Sequence, residues 1–463
     1  MEKQPIDVLI LVEHVARELD VSCAVKYIMA KRYGLHVEIA SILEVHGFQK
    51  TIARYQPRVV ALPFFYAASD LGPLKVLQAW PQAVLVNLAY EQIFTKINQA
   101  YKAPKDDLTR KHVLHHAWGK FYASYLEEYG VPPENIFTNG NPFYALYQPP
   151  YNAYFVSRAD LAQRYKLDLQ KRWVFVPENY GAAFYGEEKL KDYVKNGQPD
   201  AYSYRDFAMA SFKEAIKWWQ QGTCTPEVEM IVRPRPATPR GVFVDTCRQT
   251  LGKEPDMHII KEGTVREWIL ASDIVMSSYS TTLIEAAVAN KPIYMIEPIH
   301  FPDYVQADWY DLVPQIETLQ KFLEVIGDPA VPNTCGALQT WAHQSAMTSA
   351  DPIGDLANWL AAICKGETFI PARPDASLMP APAEAGHRRS LRSPRTLRSL
   401  RSVHDWLDMP AKGFDYAWRK ITHPEIGTDG VPIGHQLDEL SDADTNRRVE
   451  HWASILGKIP AGS

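Results

Sequence analysis

The chain has 463 residues, 46% of them apolar and 22% charged, with a formal net charge of −5. That length and balance describe a globular protein of two ordinary domains plus an appendage. The acidic balance excludes a general polyanion binder, so no nucleic-acid partner is expected.

The five cysteines, Cys23, Cys224, Cys247, Cys335 and Cys364, are scattered and form no C-x-x-C pair. This argues against a zinc site or a disulfide framework and for reduced thiols. The amino terminus is polar, and no apolar run is long enough to span a bilayer, so a cytoplasmic location is expected. The 12 Trp and 24 Tyr suit a sugar-binding cleft as well as they suit an ordinary core.

The elements alternate from the start. Ile6 to Val12 reads as a strand, a helix follows to Lys31, Gly34 ends it, and Leu35 to Ile39 makes the next strand. This βαβ opening lacks a G-x-G-x-x-G turn. It carries Glu13, His14, Arg17 and Glu18 instead, in the turn that faces the ligand crevice of an open α/β sheet. Function is favoured for Glu13. For Arg17 and Glu18 a cleft role and a plain ion pair at a helix start stand level.

Strands continue at Val59 to Leu62 and Ala83 to Leu88, and Glu91 lies just past the second, well placed for acid–base work. The spacing of His112, His115 and His116 could put two imidazoles on one helical face, but with no acidic partner motif they read as ordinary helix or loop histidines. Tyr122 to Tyr129 is helical. Gly140-Asn141-Pro142 is a turn signal, and Gln148 to Asn152 reads as an interdomain linker.

Arg172 to Pro177 opens a second set of strands and runs into Asn179 and Gly181, where a glycine would let the backbone approach a ligand. A long helix is expected over Asp206 to Gln221, and strands over Val228 to Val232, Met257 to Ile260, Ile274 to Met276 and Ile293 to Ile296. Arg233-Pro234-Arg235-Pro236 ends one of them, with two guanidinium forks suited to phosphate. Ser277, Ser278, Ser280, Thr281 and Thr282 crowd the turn after another and open a helix that contains Glu285. Hydroxyls there either cap the helix or hold an anion at its positive end.

Helices near Thr318 to Ile326, Leu338 to Ala346 and Ile353 to Cys364 close the domain. Pro371 to Gly386 is rich in proline and alanine, and His387 to Arg401 carries six arginines and no acid, with leucines at 391, 397 and 400. The second segment suits an anionic membrane surface, a solvated run being the alternative.

The segment from Ala271 through Ser277-Ser278-Tyr279-Ser280-Thr281-Thr282 and Glu285 to Asn290-Lys291-Pro292 resembles the donor site of GT-B glycosyltransferases. The likeness is to the bacterial surface carbohydrate group of capsule and lipopolysaccharide biosynthesis, related to CDP-glycerol polyol-phosphate transferases. The opening Val12-Glu13-His14 to Asp20, Gly140-Asn141-Pro142 and the Arg233–Pro236 run resemble the same group, except that Arg235 stands where the family has histidine.

The resemblance implies two Rossmann-like α/β domains facing across a cleft, with a C-terminal helical and basic appendage. The boundaries expected are an acceptor domain over 1–147, a linker and helix over 148–170, a donor domain over 171–366, a linker over 367–386 and an appendage over 387–463. It implies a metal-independent enzyme with no cofactor, transferring sugar from a nucleotide-activated donor, CMP- or CDP-linked preferred and UDP open, to a glycan or lipid-linked acceptor. Arg233, Arg235, Ser277, Ser278, Ser280, Thr281, Thr282 and Gly181 would hold the donor phosphates. Glu285 and Asn179 would meet ribose or sugar, Glu91 or Glu13 would be the catalytic base, and Arg17, Glu18 and Asn141 would line the acceptor cleft. The rival readings are a CDP-polyol phosphotransferase, a sugar-nucleotide 2-epimerase, and a non-catalytic scaffold of a polysaccharide-assembly complex.

Overall fold

A computed structural model describes residues 3–378, apart from 44, 95–98, 100–101, 196–197, 236–237 and 376–377, and residues 440–458. The basic segment 387–401, and with it the expected membrane contact, lies outside the described residues.

Two six-stranded parallel sheets form the frame. The first contains β1 (Gln4–Val12), β2 (Val37–Ser41), β3 (Tyr55–Leu62), β4 (Val84–Asn87), β5 (Leu114–Ala117) and β6 (Ile136–Thr138), in the order β2-β1-β3-β4-β5-β6. The second contains β7 (Arg172–Pro177), β8 (Val228–Arg233), β9 (His258–Ile259), β10 (Ile274–Ser277), β11 (Ile293–Ile296) and β12 (Gln315–Ile316), in the order β12-β11-β10-β7-β8-β9. The continuous apolar runs follow from burial on both faces. In β1, Val8, Ile10 and Val12 enter one core while Ile6, Leu9 and Leu11 enter the other.

In each sheet the strand order reverses once, between β1 and β3 and between β7 and β10. A parallel sheet leaves a crevice at such a point, outside the carboxyl ends of the strands.

The end of the chain returns to the first domain. Helix Pro352–Lys365 packs on helix Val15–Tyr33. There the Tyr33 hydroxyl donates to Asn358 Oδ1 at 2.7 Å, and the Trp359 ring stacks on Phe137 at 4.5 Å. Gly119 lets helix Gly336–Ala346 come close, since a Cβ at Gly119 would lie 1.9 Å from the Ser345 carbonyl oxygen.

The appendage adds one described helix, Asp442–Leu456, capped by Ser441. Its Trp452 is fully buried, stacked 4.1 Å from Tyr154. The buried Asp20 carboxylate joins four parts of the chain. It accepts from the Tyr154 hydroxyl at 3.0 Å, pairs with Arg448 of the appendage, and lies 3.7 Å from Arg266 of the second domain.

Three local expectations change. The long helix begins at Ala201, and helices Val45–Arg54 and Leu71–Ala79 fill stretches the sequence left unassigned. His115 and His116 sit in strand β5, not on a helix face. Both are buried, each bonded through both ring nitrogens, to Asn87 and the Thr109 carbonyl and to Asn139 and the Leu88 carbonyl.

Candidate functional site

The second crevice is built where the loops after β7, β8 and β10 meet. Glu178 follows β7 and is buried. Its Oε2 accepts from the Arg235 backbone N–H at 3.1 Å and its Oε1 from the Tyr180 N–H, so one carboxylate joins two loops. Burial pushes the Glu178 carboxyl up, against those bonds and the nearby Arg235 charge. Asn179 Nδ2 donates to the Tyr279 carbonyl at 3.0 Å and ties in the loop after β10.

Arg235 lies over Gly181. A Cβ there would stand 2.3 Å from Arg235 Nη1, so the glycine serves the arginine. Among the described residues the Arg235 guanidinium makes no hydrogen bond or ion pair, although Tyr185, Glu178, Tyr204 and Tyr279 surround it and, against burial, hold its charge in place. Arg235 is half-buried, whereas Ser278 Oγ is buried beside the Tyr180 phenol and meets no partner at hydrogen-bond geometry. Thr281 is exposed on the same turn.

Other residues assigned to the phosphates are occupied. Arg233 is buried, and its guanidinium donates to the carbonyls of Glu262 and Gly263, each at 2.7 Å. Burial lowers its pKa to about 10. It braces the turn before helix Val265–Ala271, where Thr264 and Glu267 form a capping box. Ser277 Oγ donates to the Pro177 carbonyl at 2.5 Å and links β10 to β7. Ser280 Oγ accepts from the Thr282 N–H at 3.3 Å and meets the Thr282 hydroxyl at 2.9 Å, so that pair serves the start of helix Thr282–Val288. Glu285 accepts from the Tyr147 hydroxyl at 2.6 Å and Gln148 donates to the Val288 carbonyl at 2.7 Å. That helix therefore holds the linker, partly through one oxygen of Glu285.

The first crevice holds a dense ionic cluster. Arg17 Nη1 donates to Glu91 Oε1 at 2.8 Å, and Arg17 Nη2 donates to Glu18 Oε1 at 2.7 Å and lies 3.6 Å from Glu13 Oε2. Lys102, which the sequence reading passed over, pairs with the other Glu91 oxygen. The Arg17 carbonyl accepts from Arg266 of the second domain at 2.9 Å, so the cluster stands at the domain junction.

These contacts separate the carboxylates. Crowding by the chain pushes the Glu91 carboxyl up, but Arg17 and Lys102 outweigh it and hold it well below the usual range. A carboxylate paired to two cations is a poor base, so of the two candidates Glu91 is the less suited. Glu13 behaves oppositely. Burial raises its pKa, and the charges of His14 and Arg17 only partly offset that. Glu18 is buried and accepts from the Glu13 N–H at 2.7 Å, which makes it the brace of the turn and not a cleft residue. Asn141 is also buried; its side chain accepts from the Phe143 N–H and its N–H donates to the Ala346 carbonyl, so it docks one domain on the other.

Among the described residues, no group of three His, Cys, Asp or Glu side chains is arranged to hold a metal ion, and no helix is long and apolar enough to cross a membrane.

No protein-family model matches the sequence, and no curated protein matches it. Solved structures do share the fold. S. aureus MnaA, solved with UDP, is 12% identical with a TM-score of 0.50, covering 80% of this chain and 100% of that one. A putative UDP-N-acetylglucosamine 2-epimerase from Listeria monocytogenes is 12% identical, covering 81% and 100%, with a TM-score of 0.47. A glycosyltransferase from Rickettsia africae is 11% identical, covering 80% and 100%, with a TM-score of 0.43. At such identities the likeness is one of fold, and the overlap with MnaA carries it: this chain has the GT-B type of architecture, two parallel-sheet α/β domains with helical additions at the carboxyl end.

Proposed function

We propose that the protein is an enzyme of nucleotide-activated sugars and that it transfers the sugar to a surface-glycan or lipid-linked acceptor. The observation that carries this reading is the Arg235 guanidinium beside the β7/β10 switch point, seated on Gly181 and meeting no internal acceptor among the described residues. A half-buried guanidinium without an internal acceptor is suited to an anion, and a diphosphate supplies one.

The chemistry follows from the two crevices. An acceptor hydroxyl oxygen bonds to the anomeric carbon and its proton passes to the Glu13 carboxylate. The bond from that carbon to the phosphate oxygen breaks, and the electron pair stays on the phosphate. Arg235, Ser278 and Thr281 stabilise the charge that develops there. Arg17 holds the turn that carries Glu13.

The test is thermal stabilisation by UDP, CDP, CMP, GDP and ADP, repeated on Arg235→Ala. A shift with one nucleotide that the variant loses supports the reading and names the base, including whether the cytidine preference expected from sequence gives way to the uridine nucleotide bound by MnaA. The absence of any shift sinks it in favour of the scaffold. Incubation with UDP- or CDP-activated substrates then separates the remaining rivals. Donor conversion without acceptor identifies an epimerase, and a phosphodiester product identifies a polyol phosphotransferase.

A further inference from the structure

The loop after β11 carries a pair that the reaction above does not use. Glu297 directly follows the strand with its side chain only 3% exposed, and its Oε1 accepts from the Phe301 N–H at 2.6 Å. The same oxygen lies 2.9 Å from Nδ1 of His300, whose side chain is 89% exposed. An ordinary surface pair has two mobile partners. Here one partner is fixed in the fold, so the imidazole is tethered at Nδ1 and presents Nε2 to solvent.

The position matters as much as the pair. All the strands of the second sheet run parallel, so the loops after β7, β8, β10 and β11 share its carboxyl edge. Phe301, next to His300, packs edge-on to Tyr279 with ring centroids 5.5 Å apart. Tyr304 of the same loop meets Tyr204 at 6.1 Å, and Tyr204 meets Tyr279 at 6.2 Å. Tyr279 lies between Ser278 and Ser280 on the hydroxyl turn. The His300 loop is thus joined through aromatic contacts to the turn beside Arg235.

We propose that His300, tethered by Glu297, is a second anion-binding group of this crevice and donates through Nε2 to the terminal phosphate of a nucleoside diphosphate. With a carboxylate on one ring nitrogen and a phosphate oxygen on the other, the doubly protonated imidazole satisfies both. Arg235 takes the phosphate nearer the switch point, and His300 takes the one nearer β11. This deepens the nucleotide-sugar reading and rests on it.

The experiment measures the affinity of the full chain for UDP and for UMP in wild type, His300→Ala, His300→Gln and Arg235→Ala. His300 is a surface side chain, so its variants keep the fold, which an unchanged melting temperature checks. The expected result is that His300→Ala weakens UDP roughly tenfold, the scale of one charge-assisted hydrogen bond, and leaves UMP unchanged. His300→Gln, which keeps an N–H donor, recovers part of the loss. Arg235→Ala weakens both nucleotides. Wild-type UDP binding that is lost in Arg235→Ala but unchanged in His300→Ala overturns the role of His300 and leaves the nucleotide reading intact. Equal weakening of UDP and UMP in His300→Ala also overturns it. Where the thermal panel selects another base, the diphosphate and monophosphate of that base replace UDP and UMP, and no binding of any nucleotide in the panel by wild type overturns both.

Discussion

Trp452 and Asp20, 432 positions apart in the chain, meet through the indole N–H, which donates to the Asp20 carbonyl oxygen at 2.9 Å. The bond joins the last described helix to the first helix of the chain. The same tryptophan stacks on Tyr154 of the linker, so one side chain touches the first domain, the linker and the appendage.

Trp452→Ala removes a fully buried ring and leaves a cavity at this junction. The expected loss of stability is about 3–5 kcal/mol. Urea unfolding of the full chain measures it. A loss below ~1 kcal/mol would show that the appendage helix is not held where it is described.

Gly181→Ala forces a Cβ against Arg235 Nη1. The guanidinium must move, because the backbone on the other side is fixed by Glu178 and Asn179. Nucleotide affinity should fall roughly tenfold or more, the scale of one displaced charge-assisted hydrogen bond. The melting temperature should shift little, since no buried contact is removed. A large fall in melting temperature with unchanged binding would count against this account.

Glu13 and Glu91 should have opposite pH signatures. The folded-state pKa of Glu13 lies above its ordinary value, so the folded protein binds that proton more tightly than the unfolded chain does, and the charged form is a burden at neutral pH. Glu13→Gln should therefore raise neutral-pH stability while lowering turnover about 10²–10⁴-fold. Activity that needs the carboxylate should fall off on the acid side at a pH above the ordinary glutamate range. Glu91 has a depressed folded pKa; its contribution is present above the unfolded value of 4.5 and is lost as pH falls through the folded one. Glu91→Gln should flatten that acid limb. Melting temperatures from pH 2 to 8 together with turnover check both signs, and the two variants behaving alike would refute the assignment.

His115 offers a second pH handle. Burial lowers its pKa from 6.5 to about 4, against a bond to the Thr109 carbonyl. The unfolded chain takes up this proton first. Stability from His115 is complete above pH 6.5 and is lost as pH falls toward 4, an effect on the order of 3 kcal/mol. His115→Asn lowers stability overall but should shrink the loss between those two pH values. An unaltered slope would mean that another group is responsible.

The alternation of strands and helices was legible because it is local. The buried run Val8 to Val12 and the stop at Gly34 declare themselves within a few residues, and so does the hydroxyl turn after β10. The roles of single polar residues were not legible. Arg233 and Arg235 look equivalent in sequence, yet one guanidinium is captured by carbonyls 29 and 30 positions away and the other is left open. Glu285 looks like a free surface carboxylate until Tyr147, 138 positions earlier, takes one of its oxygens. Glu91 looks like a base until Lys102 and Arg17 close on it. What decides each case is a partner that no window of sequence contains.

The return of the chain to its first domain has a bearing on synthesis. Tyr33 is made 325 positions before Asn358, its hydrogen-bond partner. Chains grow at about 5–20 residues per second and domains tend to fold as they emerge. The first sheet is therefore complete while the apolar face of helix Val15–Tyr33 still lacks its cover from Pro352–Lys365. For an interval on the order of tens of seconds that face is open to chaperones or to another nascent chain. Fragments ending before residue 352 should be sticky, and a split version of the protein should recover solubility only when both pieces are produced together.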